Sequence, residues 1–296
     1  MHHLTNPAAE IDAGLDAPLI AKVERLRALI DGYGSALVAF SGGVDSTVVL
    51  KVAADRLGDR CVAATGLSAS YAPEEMAEAK TVAARLGARH VMAETMELTD
   101  PRYADNTHQR CFFCKSELYT RLGTLATELG LATVLDGTNL DDTGDFRPGI
   151  RAGKQLGVKS PLVDAEIRKA DVRAIAKAWG LPTWDKPAAA CLSSRFAYGD
   201  PITVEKLRRV STAESGLREL GLRGFRVRHH GDIARLEIPV DRIAEVVERR
   251  DEVTAAVKAA GYAYVALDLD GFRSGSMNEV LHARVKSAGL RGPGPA

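Results

Sequence analysis

Apolar residues recur with a helical period over 18–31, at Leu19, Ile20, Val23, Leu26, Leu29 and Ile30, and predict a first helix that Gly32 and Gly34 end. A short apolar run, ALVAF at 36–40, follows between glycines and reads as a strand buried on both faces. The two textures then alternate. Helices are expected over 46–57, 73–86, 114–129 and 169–179, and strands over 61–67, 89–96 and 132–138. Strands separated by helices of this length imply a parallel sheet with right-handed crossovers. In such sheets ligands gather at the carboxyl ends of the strands.

Beyond about Leu192 the texture changes. An amphipathic helix with a Glu/Arg face covers 203–220, and two alternating strands, GFRVRHHG and IARLEIPV, join around Gly231-Asp232. A helix over 240–259 then precedes a last strand over 262–271. This αββαβ order suits a small α+β domain. The reading is an α/β parallel-sheet domain over 18–190 and an α+β substrate or oligomerisation domain over 200–285, with 1–17 and 286–296 as flexible ends.

Composition narrows the partners. The 296 residues include 39 basic and 39 acidic side chains, so the net charge is zero. That argues against nucleic acid, whose phosphates demand an excess of Lys and Arg, and leaves room for a local anion site. No stretch reaches the roughly 18 apolar residues of a membrane span, and the opening MHHLTNPAAEIDAG has no secretory h-region. The expected setting is cytoplasmic. Four cysteines are too few for a disulfide scaffold, and in a reducing compartment grouped ones are candidates for metal ligation or catalysis. Cys61, inside a strand pattern, reads as a packing residue.

The strongest chemical signal is Ser41-Gly42-Gly43-Val44-Asp45-Ser46, between the first strand and the following helix. Two glycines let backbone approach an anion, the helix start offers N–H groups and positive dipole, and Ser41 and Ser46 add hydroxyls. The bland alternative is a glycine-rich turn capped by Asp45 or Ser46. Arg110-Cys111-Phe112-Phe113-Cys114-Lys115 puts two thiols at i and i+3 at a helix mouth. They suit metal or cluster ligation if a third ligand comes from elsewhere; a redox dithiol and two semi-buried structural cysteines are the rivals. Cys191 lies in KPAAACLSSR between Lys186 and Arg195, and flanking cations favour a thiolate nucleophile or ligand. Arg226 and Arg228 alternate with Phe225 and Val227, so both guanidiniums share one strand face, suited to a phosphate; a solvated face is the rival. Asp136, Asn139 and Asp142 sit at a strand's carboxyl end, where Asx-turn capping competes with a binding role.

The six-residue loop resembles the PP-loop of the ATP pyrophosphatases, within the adenine-nucleotide alpha hydrolase-like superfamily. Together SGGVDS, RCFFCKSELY, LDGTNLDDTGDFRPGIRA, WDKPAAACLSSRF, GFRVRHHGDIARLEI and YVALDLDGFRSGSMNE resemble the LarE family of ATP-dependent sulfur transferases of nickel-pincer nucleotide synthesis. The likeness runs from about residue 18 to 281, and only the first motif is generic to the superfamily.

The resemblance implies a PP-loop ATP pyrophosphatase domain followed by a small α+β domain. It implies ATP, Mg2+ and a pyridinium carboxylate mononucleotide as ligands, AMP and pyrophosphate as by-products, and a homo-oligomer. Ser41, Gly42, Gly43, Asp45, Ser46, Gly137 and Asn139 would then hold the nucleotide, with Asp45 assisting magnesium. Ser194, Arg195, Arg226 and Arg228 would meet the substrate, and Glu237 resembles a family metal ligand, a surface Glu being its rival. In one branch of the family the cysteine matching Cys191 gives up its own sulfur once. In another, cysteines matching Cys111, Cys114 and Cys191 hold a [4Fe-4S] cluster that carries sulfide from an external source. This chain has all three cysteines, and the cluster branch is the expectation taken. The competing functions are a tRNA thiolase, disfavoured by neutral charge; an amidating synthetase, which lacks room here for an ammonia-supplying domain; and a non-catalytic nucleotide-binding protein, which pyrophosphate release would exclude.

Overall fold

The computed structural model describes residues 12–144, 148–187, 190–273 and 276. The ends expected to be flexible, apart from 12–17, lie outside the described residues, as does much of the SGSMNE segment. In chain order the elements are α1 (Ala17–Tyr33), β1 (Ala36–Ala39), α2 (Val44–Leu57), β2 (Cys61–Leu67), α3 (Pro73–Arg85) and β3 (Arg89–Glu94). Then come α4 (Pro101–Ala104), α5 (Arg110–Glu128), β4 (Thr133–Leu135), α6 (Pro148–Gln155), α7 (Pro161–Asp164) and α8 (Lys169–Ala178). The remainder holds α9 (Val204–Glu219), β5 (Arg226–His230), β6 (Ile233–Glu237), α10 (Ile243–Glu248), α11 (Arg250–Ala259) and β7 (Tyr264–Leu267).

The chain forms two compact units. The first takes the described residues of Met1–Ser68, Pro73–Met96 and Cys111–Ala189; the second takes those of Ala69–Ala72, Glu97–Arg110 and Ala190–Ala296. Four parallel strands in the order β3-β2-β1-β4 make the sheet of the first unit. Its strands are apolar on both faces because both are covered. Ala36, Val38 and Ala63 point into a core with α1, α2 and α8, while Leu37, Val62 and Ala64 face Leu118 and Leu122 of α5. Burying one such leucine contributes about 1.5–3 kcal/mol. The chain winds outward from β1 to β3 and then returns to the other side of β1 as β4. The point where the order reverses therefore lies between the carboxyl ends of β1 and β4, the ligand crevice of open α/β sheets.

In the second unit β5 and β6 form an antiparallel hairpin and β7 joins β6 in parallel. Val227, Leu236, Ile238, Val253 and Val257 are central to its core. Two sequence boundaries are corrected here. The helix expected over 240–259 is a 3-10 turn at Val240–Arg242 followed by α10 and α11, broken at Arg249. The polar run Glu248–Glu252 gives that stretch no apolar anchor, while Asp251 and Glu252 favour a fresh helix start. The last strand stops at Leu267 because Asp268 forms a turn, its carboxylate accepting the Asp270 N–H at 3.0 Å.

Candidate functional site

In the first unit, β1 hands the chain to α2 through Ser41–Gly43. Phe40 still donates its N–H to the Ala64 carbonyl at 2.8 Å, so the turn is anchored at its base. Gly42 has φ 70°, and a Cβ there would sit 3.1 Å from the Ala79 Cβ, so both conformation and space demand glycine. Gly43 is the N-cap of α2 and makes no side-chain cap hydrogen bond. The first N–H groups of α2 accordingly have no intrahelical acceptor. The Ser46 and Thr47 hydroxyls donate to the Gly43 carbonyl at 3.1 and 2.8 Å, and the Ser41 and Ser46 hydroxyls lie 3.2 Å apart. Ser46 helps to organise the turn, its hydroxyl also accepting the Ser41 N–H at 3.3 Å, as the capped-turn reading anticipates.

Asp45 turns instead toward two donors. Its carboxylate accepts the Asn139 amide at 3.1 Å and pairs with the Lys169 ammonium. Asn139 arrives on the loop after β4. The strand ends at Leu135 because Asp136 forms an Asx turn, accepting from the Thr138 N–H at 3.1 Å and its hydroxyl at 2.8 Å. Tyr119 and Ser160 donate to the same buried carboxylate at 3.0 and 2.8 Å. Asp142, in turn, accepts the Asn139 N–H at 3.1 Å. Gly137 passes so close to the α2 start that a Cβ on it would lie 2.7 Å from the Ser46 nitrogen. Thus Asp45, Ser46, Gly137 and Asn139 are brought together at the switch point.

Two lysines join them. Lys169 opens α8, and sequence reading passed over it as an ordinary helix start. A signal was available, since a cation in the first turn opposes the helix dipole and needs another partner. Lys186 donates to the Gly42 carbonyl at 3.3 Å and lies 2.8 Å from both Glu75 and Glu78 of α3. Burial alone lowers an ammonium pKa, but these two carboxylates outweigh it and raise that of Lys186. Arg173 of α8 fixes the same segment, donating to the Trp184 and Lys186 carbonyls at 2.8 and 3.1 Å.

Cys111 and Cys114 lie in the first two turns of α5, Cys111 exposed and Cys114 half-buried. Phe112 and Phe113 meet edge to face at 5.5 Å, and the Arg151 guanidinium stacks on Phe112 at 4.5 Å. Cys61 is a core residue, and burial pushes its thiol up to about 12.

In the second unit Cys191 is a half-buried free thiol at the N-cap of a 3-10 turn, Leu192–Arg195. Its carbonyl accepts the Ser194 N–H at 3.0 Å and Arg195 at 3.1 Å. Arg195 spends its charge on Glu214, in a two-pronged pair at 2.8 and 2.9 Å whose side chains are 5% and 1% exposed. The cations read as flanking Cys191 thus have carboxylate partners: Glu75 and Glu78 for Lys186, Glu214 for Arg195. Burial works to raise the Glu214 carboxyl, but Arg195, the Val227 N–H and Arg218 together hold it below the usual range. Sequence reading missed Glu214, although it follows Leu207 and Val210 on the apolar face of α9.

The arginine-bearing face of β5 is covered. Arg228 donates to Glu237 at 2.6 Å, Ser276 at 3.0 Å and the Ser194 carbonyl at 2.8 Å. Its Nε is buried without a hydrogen-bond partner among the described residues. Arg226 stacks on Phe272 at 5.1 Å, and burial, reinforced by Arg195 and Arg228, lowers its pKa to about 10. Glu237 is fully buried and also meets Arg235 at 3.1 Å, so it serves here as the anion of an arginine cluster.

A four-stranded parallel sheet, a glycine-rich strand-to-helix loop at its switch point and an attached α+β unit define a protein of the PP-loop class. No family model matches the sequence. The chain is 42% identical over 267 residues to the pyridinium-3,5-bisthiocarboxylic acid mononucleotide synthase of Lactiplantibacillus plantarum, covering 90% of this chain and 96% of that protein. It therefore belongs to that synthase's family, the LarE family. It is also 48% identical to an uncharacterized Synechocystis protein over 89% of this chain and 99% of the other. An uncharacterized Methanocaldococcus jannaschii protein is 26% identical over 80% of this chain and 90% of its own length.

Proposed function

We propose that this protein is an ATP-dependent sulfur transferase that converts the ring carboxylates of pyridinium-3,5-biscarboxylic acid mononucleotide to thiocarboxylates. The product is the compound for which the Lactiplantibacillus relative is named. The observation that carries the reading is the Ser41–Ser46 loop, with its glycine backbone, open helix N-terminus and Asp45 facing Asn139 and Lys169.

A carboxylate is a poor electrophile because it would have to expel oxide. In the proposed reaction the substrate carboxylate attacks the α-phosphorus of ATP, and the bond to pyrophosphate breaks. The loop backbone and the α2 N-terminus hold the departing pyrophosphate. Asp45 is the carboxylate available to magnesium, which when bound would draw off the developing charge. Lys169, released from Asp45, would then be a cation for the phosphates. Sulfur attacks the acyl adenylate and AMP leaves. Arg226 and the buried Nε of Arg228 suit the mononucleotide phosphate.

The sulfur site draws on three thiols outside any disulfide, none more than half-buried. Among the described residues no group of three or more His, Cys, Asp or Glu side chains that could hold a metal ion is found, and the thiols divide two and one between the units. As a donor set they fit iron–sulfur ligation. A [4Fe-4S] cluster on Cys111, Cys114 and Cys191 would supply carried sulfide and permit turnover. The second reading, single-use donation by Cys191 leaving dehydroalanine, needs only one of the three. Anaerobic purification with iron analysis, and intact mass before and after reaction, separates them. About four irons lost on Cys111→Ala with unchanged mass supports the cluster; loss of one H2S at Cys191 supports sacrifice. Pyrophosphate release that persists in Asp45→Ala would refute the adenylation itself.

A further inference from the structure

Two stretches of chain that interrupt the first unit hold the loop carrying Cys191. Residues 69–72 follow β2 and 97–110 follow β3, the connections leaving the carboxyl ends of those strands. From the first, the Ser70 carbonyl accepts the Leu192 N–H at 2.8 Å. The Ser70 hydroxyl donates to buried Glu97 at 2.9 Å, which joins the two stretches.

The second stretch supplies a clamp of side chains. The Tyr103 hydroxyl meets that of fully buried Ser193 at 2.5 Å. Asn106, in a left-handed conformation at φ 52°, donates to the Ala197 and Asp200 carbonyls at 2.7 and 3.1 Å. Arg110 closes the clamp. Its guanidinium donates to the Asn106 side-chain oxygen and, at 2.8 Å, to the Ser193 carbonyl, two residues from Cys191. Arg110 is 6% exposed and faces the Tyr198 ring at 5.9 Å.

Arg110 is the first residue of α5, so its backbone is fixed by the helix while its side chain reaches the Cys191 loop. We propose that Arg110 is a positioning residue for Cys191, one side chain that fixes the loop carrying this thiol through the Ser193 carbonyl and Asn106. It acts through Ser193 and Asn106 and not on substrate. The proposal rests on the reading that Cys191 takes part in sulfur transfer.

The test is per-cysteine alkylation of the full-length, reduced, metal-free protein by iodoacetamide, followed by peptide mass spectrometry. Arg110→Gln is expected to speed alkylation of Cys191 about tenfold, the effect of losing a charged hydrogen bond that limits local opening. Cys61 should keep its rate, and Arg110→Lys, which retains a charged donor, should fall between. An unchanged Cys191 rate in folded Arg110→Gln overturns the proposal, as does a parallel rise at Cys61, which reports general loosening. Should Arg110→Gln not fold, a wild-type rate at Cys191 in Arg110→Lys overturns it equally. Because this readout involves no iron and no sulfur transfer, failure of the cluster assignment is seen separately, as wild-type protein that takes up no iron anaerobically.

Discussion

Gly137→Ala adds one methyl group where the loop after β4 crosses the start of α2. The new Cβ would lie 2.7 Å from the Ser46 nitrogen, 3.0 Å from the Ser46 Cα and 3.1 Å from the Asp45 carbonyl carbon. All three are backbone atoms, so no side chain can rotate away, and loop and helix must separate by about 0.7 Å to reach ordinary contact. Gly137 is not among the glycines of positive φ, so alanine is conformationally acceptable and by itself would add about 0.4–1 kcal/mol through the unfolded chain. Overpacking costs about 1–3 kcal/mol and outweighs that gain. At about 2–4 °C per kcal/mol, the midpoint of thermal unfolding should fall by several degrees. Asn139 moves with the loop, so pyrophosphate release should suffer more than stability; a 1 Å misplacement costs on the order of 100-fold. The companion variant is Gly123→Ala in α5, where a Cβ meets nothing within 4 Å. It should stabilise by about 0.5–1 kcal/mol and leave activity alone. Wild-type melting and wild-type pyrophosphate release in Gly137→Ala would refute the contact argument.

Gly42→Ala combines a left-handed backbone with contact to the Ala79 backbone at 3.2 Å, and should cost about 1–2 kcal/mol in calorimetry and sharply weaken ATP binding. Glu214→Gln leaves Arg195 buried without its counter-charge and should lower stability to urea by about 3–5 kcal/mol with no change in slope. Because the folded-state Glu214 carboxyl lies below its ordinary value of 4.5, its contribution is fully present above that pH and is lost as pH falls through the lower folded value. An acid titration of unfolding should therefore be shallower below pH 4.5 in Glu214→Gln than in wild type. Arg226→Ala should raise the KM for the pyridinium mononucleotide about tenfold or more with the KM for ATP unchanged, and a uniform fall in kcat would argue against a phosphate contact.

What the sequence disclosed and what it concealed follow a physical division. The parallel sheet was legible because its strands are short apolar runs punctuated by glycine, and the register of apolar positions leaves few other arrangements. The Ser41–Ser46 loop was legible because glycine at φ 70° and an open helix start are properties of a contiguous segment. The partners of Asp45 were harder, because Asn139 and Lys169 stand 94 and 124 residues away, and only the fold makes them neighbours. Even so, each carried a local anomaly. Lys169 is a cation at the positive end of a helix, Glu214 an acid on an apolar helix face, and Arg228 a cation on a strand whose next residue, His229, is also buried. Each is unfavourable where it stands, and each is explained by an opposite charge or hydrogen-bond acceptor brought from elsewhere in its unit. Residues that violate their own element's rules therefore point to non-local ion pairs more reliably than motif matching does. Arg110 belongs to the same group, as a buried guanidinium whose Ser193 partner lies 83 residues along the chain and whose only sequence clue is the thiol beside it.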